Sequence, residues 1–148
     1  MLPAPYVQAA LFLSRLELYG LVNFMIDTGA DNTTLSLSDI ERINVPYRRL
    51  KRDSLVEVEG IGGMHKFYKE EGALILRDSE GITYTFALDV HIPCRGTAND
   101  AERQRQLPSI LGRDITNLCS MTVSFQLGTV ELIPPEGARL PAPTRRLL

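Results

Sequence analysis

Between Ile82 and Val90 the chain alternates strictly, with Ile82, Tyr84, Phe86, Leu88 and Val90 separated by Thr83, Thr85, Ala87 and Asp89. A period of two belongs to extended backbone, whose successive side chains point to opposite faces, so this stretch predicts a strand with one face in a core. Met121, Val123, Phe125 and Leu127 repeat the pattern, and Gly128-Thr129 then leads to Val130 to Ile133, which predicts a hairpin. Tyr6 to Leu13, Leu21 to Ile26, Leu55 to Val58 and Gly72 to Leu76 are further candidate strands, punctuated by Gly and Pro. The expectation is a mostly antiparallel, all-β protein.

Two helical signals interrupt it. Ser38-Asp39-Ile40-Glu41 has the spacing of a capping box over a short helix ending near Ile43, and Asp114 to Leu118 is the second. Each is too short to stand without packing on a sheet. Residues 95–106 are polar without apolar periodicity and read as an exposed loop. Four prolines beyond Ile133 divide the chain into a domain over residues 1–133 and a Pro-rich tail over 134–148, extended or disordered.

A length of 148 residues, 44% of them hydrophobic, suits one domain able to bury roughly 70% of its unfolded surface. Sixteen Lys and Arg against eighteen Asp and Glu leave a net charge of −2, no footprint for a nucleic-acid partner. No apolar run approaches the ~18 residues a bilayer demands, and Ala9 to Leu13 lacks the flanks of an export signal, so neither a membrane location nor export is expected. Cys94 and Cys119 are read as buried thiols in a reducing, cytoplasmic compartment. His65 and His91, read as surface or strand-end residues, do not complete a zinc-ligand spacing, so no metal and no cofactor are expected.

Three segments carry chemistry: Phe24-Met25-Ile26-Asp27-Thr28-Gly29-Ala30-Asp31, Gly60-Ile61-Gly62-Gly63 and Ile110-Leu111-Gly112-Arg113-Asp114. In the first, a strongly apolar run delivers a carboxylate into a Thr-Gly turn, where an unpaired charge is costly. Asp27 is either a turn-capping residue or a reacting acid, and the tripeptide leaves both open. The glycines at 60–63 make a mobile hairpin tip or an ordinary turn; a phosphate loop does not fit, because no Lys-Ser/Thr pair and no helix start follow.

Taken in order, the three segments resemble the retropepsins, the retroviral-type aspartic proteases, over about residues 6 to 127. The resemblance extends to Thr34-Leu35 and to the strand Met121 to Phe125. It implies a single-lobe, closed barrel-like, mostly antiparallel fold that acts as a symmetric homodimer on extended peptide or protein substrates. Amide hydrolysis by water needs one carboxylate to take a proton and a carboxylic acid to polarise the carbonyl. The chain holds one Asp-Thr-Gly, so the second acid would be Asp27 of a second copy, brought opposite by two-fold symmetry. Two carboxyls that close hold one proton between them, the known behaviour of aspartic protease pairs.

The same resemblance implies roles for the neighbours of Asp27. Thr28 would brace the turn across the dimer, and Gly29 would leave room for backbone to approach. Asp31 and Arg113 would pair to fix the loop; a buried pair of that kind would lose ~3–5 kcal/mol with either partner. Asn32 would contact substrate. Gly60, Gly62 and Gly63 would form a flap with Ile61 at its apolar tip, and Pro108 and Ile110 would line a pocket while Leu111 enters the core. Ala30 cannot donate a hydrogen bond to the ionised dyad as Ser or Thr would, which places activity from mildly acidic towards neutral pH. The extra strand after Phe125, the long 95–106 segment and the hairpin at Ser14 to Gly20 depart from the retroviral pattern and leave the dimer interface open. The alternative is a non-catalytic dimeric peptide-binding or dimerisation module.

Overall fold

The computed structural model describes residues 5–60 and 63–138, and in it the alternating segments form strands. These are β1 (Tyr6–Leu13), β2 (Leu18–Ile26), β3 (Leu55–Gly60), β4 (Gly63–Arg77), β5 (Thr83–Pro93), β6 (Ser109–Leu111), β7 (Ser120–Ser124) and β8 (Thr129–Ile133). The protein is mostly β, as its patterning requires. In β1 the alternate residues Ala9, Leu11 and Leu13 are buried, and Val22, Phe24 and Ile26 of β2 meet them in the core. From β5, Phe86 and Val90 are buried on the face predicted, with Tyr84 and Leu88 packed partly against the core.

β4 organises the main sheet. Its residues 63–68 pair with β3, 73–75 with β1 and 67–77 with β5, all antiparallel. Phe67 and Tyr68 are paired on both sides, as are Ala73 to Ile75, so β3 and β1 share one edge of β4 and β5 occupies the other. β2 continues the sheet beyond β1 and ends on the short β6, the one parallel pairing among the described strands. The strand path stays open, so the barrel-like closure that the resemblance implies is absent among the described strands. β7 and β8 form a separate two-stranded sheet.

Several boundaries differ from the sequence reading. The first helix, α1 (Leu37–Arg42), is capped by Ser36, whose hydroxyl accepts from the Asp39 N–H, rather than by Ser38. Residues 95–106 are not a loop throughout: Ala98–Gln106 is helix α2, started by a Thr97/Asp100 capping box. It has no buried residue, hence no apolar stripe to read. The last helix, α3, is Arg113–Thr116 rather than 114–118. β7 stops at Ser124, and Phe125 to Gly128 form the turn, three residues earlier than the Gly128-Thr129 signal suggests. After Ile133 the chain is not simply extended: Glu136–Ala138 form a 3-10 turn, and Ala138 packs against the core. The rest of the tail lies outside the described residues. Cys94 and Cys119 are half-buried free thiols, both pushed up by burial.

Candidate active site

β2 drives into the core through Phe24 and Ile26 and releases the chain at Asp27, a half-buried residue followed by exposed Thr28 and Gly29. The Ile26 N–H donates to the Pro5 carbonyl at 2.8 Å and the Asp27 N–H to the Leu111 carbonyl at 3.1 Å, so backbone on both sides fixes where the carboxylate emerges. The turn closes on itself: the Ala30 N–H donates to the Asp27 carbonyl at 3.2 Å, and the Gly29 N–H donates to Asp27 Oδ1 at 2.9 Å. A Cβ at Gly29 would lie 3.2 Å from that oxygen, tight enough to disturb the contact.

The Gly112-Arg113-Asp114 segment is laid directly across this turn. The Arg113 N–H donates to the Ala30 carbonyl at 2.8 Å and the Asp114 N–H to the Asp31 carbonyl at 3.2 Å. Arg113 Nη2 donates to Asp31 Oδ1, which brings together the two residues expected to pair. The pair is not buried, however: the side chains are 45% and 70% exposed, so the large cost attached to a buried pair does not apply.

The interaction that reaches a fully buried residue is one that sequence reasoning missed. Asp114 Oδ2 accepts from the Thr33 N–H at 2.9 Å and Oδ1 from the Thr33 hydroxyl at 2.7 Å. The same hydroxyl oxygen accepts from the Gly112 N–H at 3.2 Å, and Thr33 is fully buried. Gly112 has no room for a side chain, since a Cβ there would sit 2.5 Å from the Asn32 carbonyl carbon. The sequence carries little signal for the Thr33–Asp114 contact, since Thr33 sits among the polar residues Asp31, Asn32, Thr34 and Ser36.

Beside the turn, Thr34 and Ile110 exchange backbone hydrogen bonds at 2.9 and 2.8 Å, which wedges β6 between Thr34 and β2. Met25, Ile110 and Thr34 therefore lie on one face, away from Phe24 and the fully buried Leu111. Ile110 and Pro108 are half-buried, as is Asn32. Ser109 is buried and donates to Asp39 Oδ2 at 2.6 Å while accepting from the Ser36 N–H at 2.8 Å, tying β6 to the first turn of α1. Nothing in the sequence links Ser109 to Asp39, because their contact spans 70 residues.

His91 is buried, with its backbone bonded to Thr33 and Leu35 and its ring 5.4 Å from that of Phe67. Burial first and Lys69 second hold the imidazole below its ordinary value, against the smaller opposing pull of Asp114 and Asp89. The β3–β4 hairpin closes with Gly60 paired to Gly63, whose φ of +112° suits glycine. Ile61 and Gly62, the expected tip, lie outside the described residues. A recess of about 590 Å³ elsewhere, lined by Phe12, Glu71, Ala73, Ala87 and Asp89 among others, contains none of the predicted site residues.

Compared with known proteins, the sequence matches no protein-family model and no curated protein. In shape it is similar to the crystal structure of a retropepsin-like aspartic protease from Rickettsia conorii, 16% identical, with a TM-score of 0.49 over 80% of this chain and 75% of that chain.

Proposed function

We propose that the chain is an aspartic endopeptidase with the single-lobe retropepsin-like fold, active as a homodimer whose two Asp27 carboxyls share one site. The observation that carries the reading is the Asp27 turn: the backbone N–H of Asp27 is fixed at the strand end by the Leu111 carbonyl, its half-buried carboxylate accepts from the Gly29 N–H, and the Gly112-Arg113 segment is bonded across the turn. A turn-capping aspartate needs only local bonds. Here the carboxylate's bond is local too, but the backbone around it is also held by two distant stretches, Pro5 and Leu111 to Arg113.

The chemistry follows from two such acids with one proton between them. The ionised Asp27 takes a proton from water as that water attacks the scissile carbonyl, and the protonated Asp27 of the second copy donates a hydrogen bond to the carbonyl oxygen. Collapse of the tetrahedral intermediate passes a proton to the leaving nitrogen and breaks the C–N bond. Thr28 is exposed and free to meet its counterpart in the second copy; the β3–β4 hairpin would cover an extended peptide.

The surface that would carry the dimer is the β7–β8 sheet. A two-stranded sheet is marginal alone, and Val130 and Leu132 pack only partly against the core while Val123, Phe125, Leu127 and Ile133 are exposed. β7 follows the Gly112 segment by eight residues along the chain.

The test is a digest of a denatured proteome by wild type, with and without pepstatin, and by Asp27→Asn of unchanged melting temperature. Pepstatin-sensitive cleavage that vanishes in the variant is expected. Cleavage that persists in Asp27→Asn removes Asp27 from the mechanism, and no cleavage by either protein favours a binding module.

A further inference from the structure

Charge is unevenly distributed over this chain. Arg15, Arg42, Lys66, Lys69, Arg105 and Arg113 each sit against a carboxylate. Arg48, Arg49, Lys51 and Arg52 form no ion pair among the described residues, although they fall within five consecutive positions and all are exposed. Four cations and one carboxylate, Asp53, thus lie between Tyr47 and Ser54 in a protein whose net charge is −2.

The segment carrying them is held in place. It consists of two 3-10 turns, Tyr47–Arg49 and Arg52–Ser54, anchored by buried Val45 and Leu50. Arg49 donates to the Arg15 and Leu16 carbonyls at 2.9 and 3.3 Å, and Arg15 returns a 2.8 Å bond to the Arg49 carbonyl. Tyr47 donates to the Pro93 carbonyl at 2.7 Å, and the exposed Arg95 guanidinium covers its ring at 4.3 Å, adding a fifth cation beside the turn. Like charges gathered on a rigid surface repel one another, and a bound anion relieves that repulsion.

We propose that this face, Tyr47 to Ser54 with Arg95 beside it, is a docking site for an acidic polypeptide segment of a partner protein. Guanidinium forks match carboxylates in pairs. Single-stranded nucleic acid fits less well, because Arg95 already occupies the face of Tyr47 on which a base would stack. The turns lead directly into Leu55 of β3, so a segment docked here lies at the root of the β3–β4 hairpin.

The experiment uses the full chain and a fluorescent poly-L-glutamate peptide, and so does not depend on the reading of Asp27. Wild type is expected to bind it at about 50 mM salt and to lose about tenfold in affinity at about 300 mM. The triple variant Arg48→Ala, Lys51→Ala, Arg52→Ala, folded by circular dichroism, should bind about tenfold more weakly at low salt. Arg77→Ala with Arg103→Ala, cations elsewhere on the surface, should bind as wild type does. No binding by wild type at low salt, equal binding by the triple variant, or tighter binding of an oligothymidylate of matched charge would each overturn the proposal.

Discussion

Asp114 holds Thr33 with both of its carboxylate oxygens, one on the backbone N–H and one on the hydroxyl, across 81 residues of sequence. Thr33 is fully buried, so losing these acceptors strands two donors where water does not reach. Asp114→Ala should lower stability by about 2–4 kcal/mol in urea unfolding. Asp31→Ala removes the partner of an exposed pair and should cost less than about 1 kcal/mol. Equal costs would mean that the Asp31–Arg113 pair, rather than the Thr33 clamp, locks the loop.

Gly112 makes the second crossing of the same two segments. Its φ of −91° suits any residue, so space alone demands glycine: a Cβ would meet the carbonyl carbon, oxygen and nitrogen of Asn32 at 2.5, 2.7 and 2.8 Å. Those are backbone atoms and cannot swing aside as a side chain would. Gly112→Ala should therefore cost about 2–3 kcal/mol and shift the Asp27 turn. Thermal melting reads the first effect and peptide cleavage the second; a variant with wild-type melting and activity would show that the loop yields without consequence.

What the sequence reveals here depends on how locally each feature is encoded. The strands are legible because every other residue reports its face, and the Asp27 turn because apolar residues run straight into an acid. Helix α2 is invisible to such reasoning, since a helix with no fully buried residue shows no apolar stripe, although its Thr97/Asp100 box is legible. The cap of α1 is ambiguous by two residues in the sequence, because Ser36 and Ser38 are both followed three residues later by an acid. The contacts that join distant segments, Thr33 to Asp114, Asp39 to Ser109 and Arg15 to Glu70, leave no periodic trace; only the fold brings their partners together.

His91 gives the fold an acid-side weakness. Its imidazole is held below the ordinary value of 6.5, so the unfolded chain binds a proton more readily than the native one. That difference leaves stability intact above about pH 6.5 and erodes it as pH falls from there towards the native value. The groups facing His91 are Lys69 across the strand pair, Phe67, and the carboxylates of Asp89 and Asp114, the last being the Thr33 clamp. His91→Gln should flatten the fall in melting temperature between pH 7 and pH 5. Parallel curves for the two proteins would acquit His91.

Phe125 and Leu127 are 73% and 76% exposed at the tip of the β7–β8 hairpin. Apolar side chains grouped this openly mark a contact surface. Phe125→Asp with Leu127→Asp should leave the monomer folded while weakening self-association by about tenfold or more. Sedimentation should then show a monomer at concentrations where wild type is dimeric, and cleavage should rise with the square of protein concentration. An unchanged association constant would move the interface elsewhere.

Mixing subunits separates shared from independent catalysis. If one acid from each copy is required, a dimer holding a single Asp27→Asn chain is inactive. Equal amounts of wild type and Asp27→Asn, allowed to exchange, then leave about one quarter of the dimers fully wild type under random pairing. Activity per total protein should fall to that fraction. Chains that act alone would retain about half, because dilution by an inert partner removes nothing from the remaining wild type. The measurement needs only that exchange be complete, which a time course to constant activity establishes. A plateau near one half would dissolve the two-chain site while leaving Asp27 itself in place.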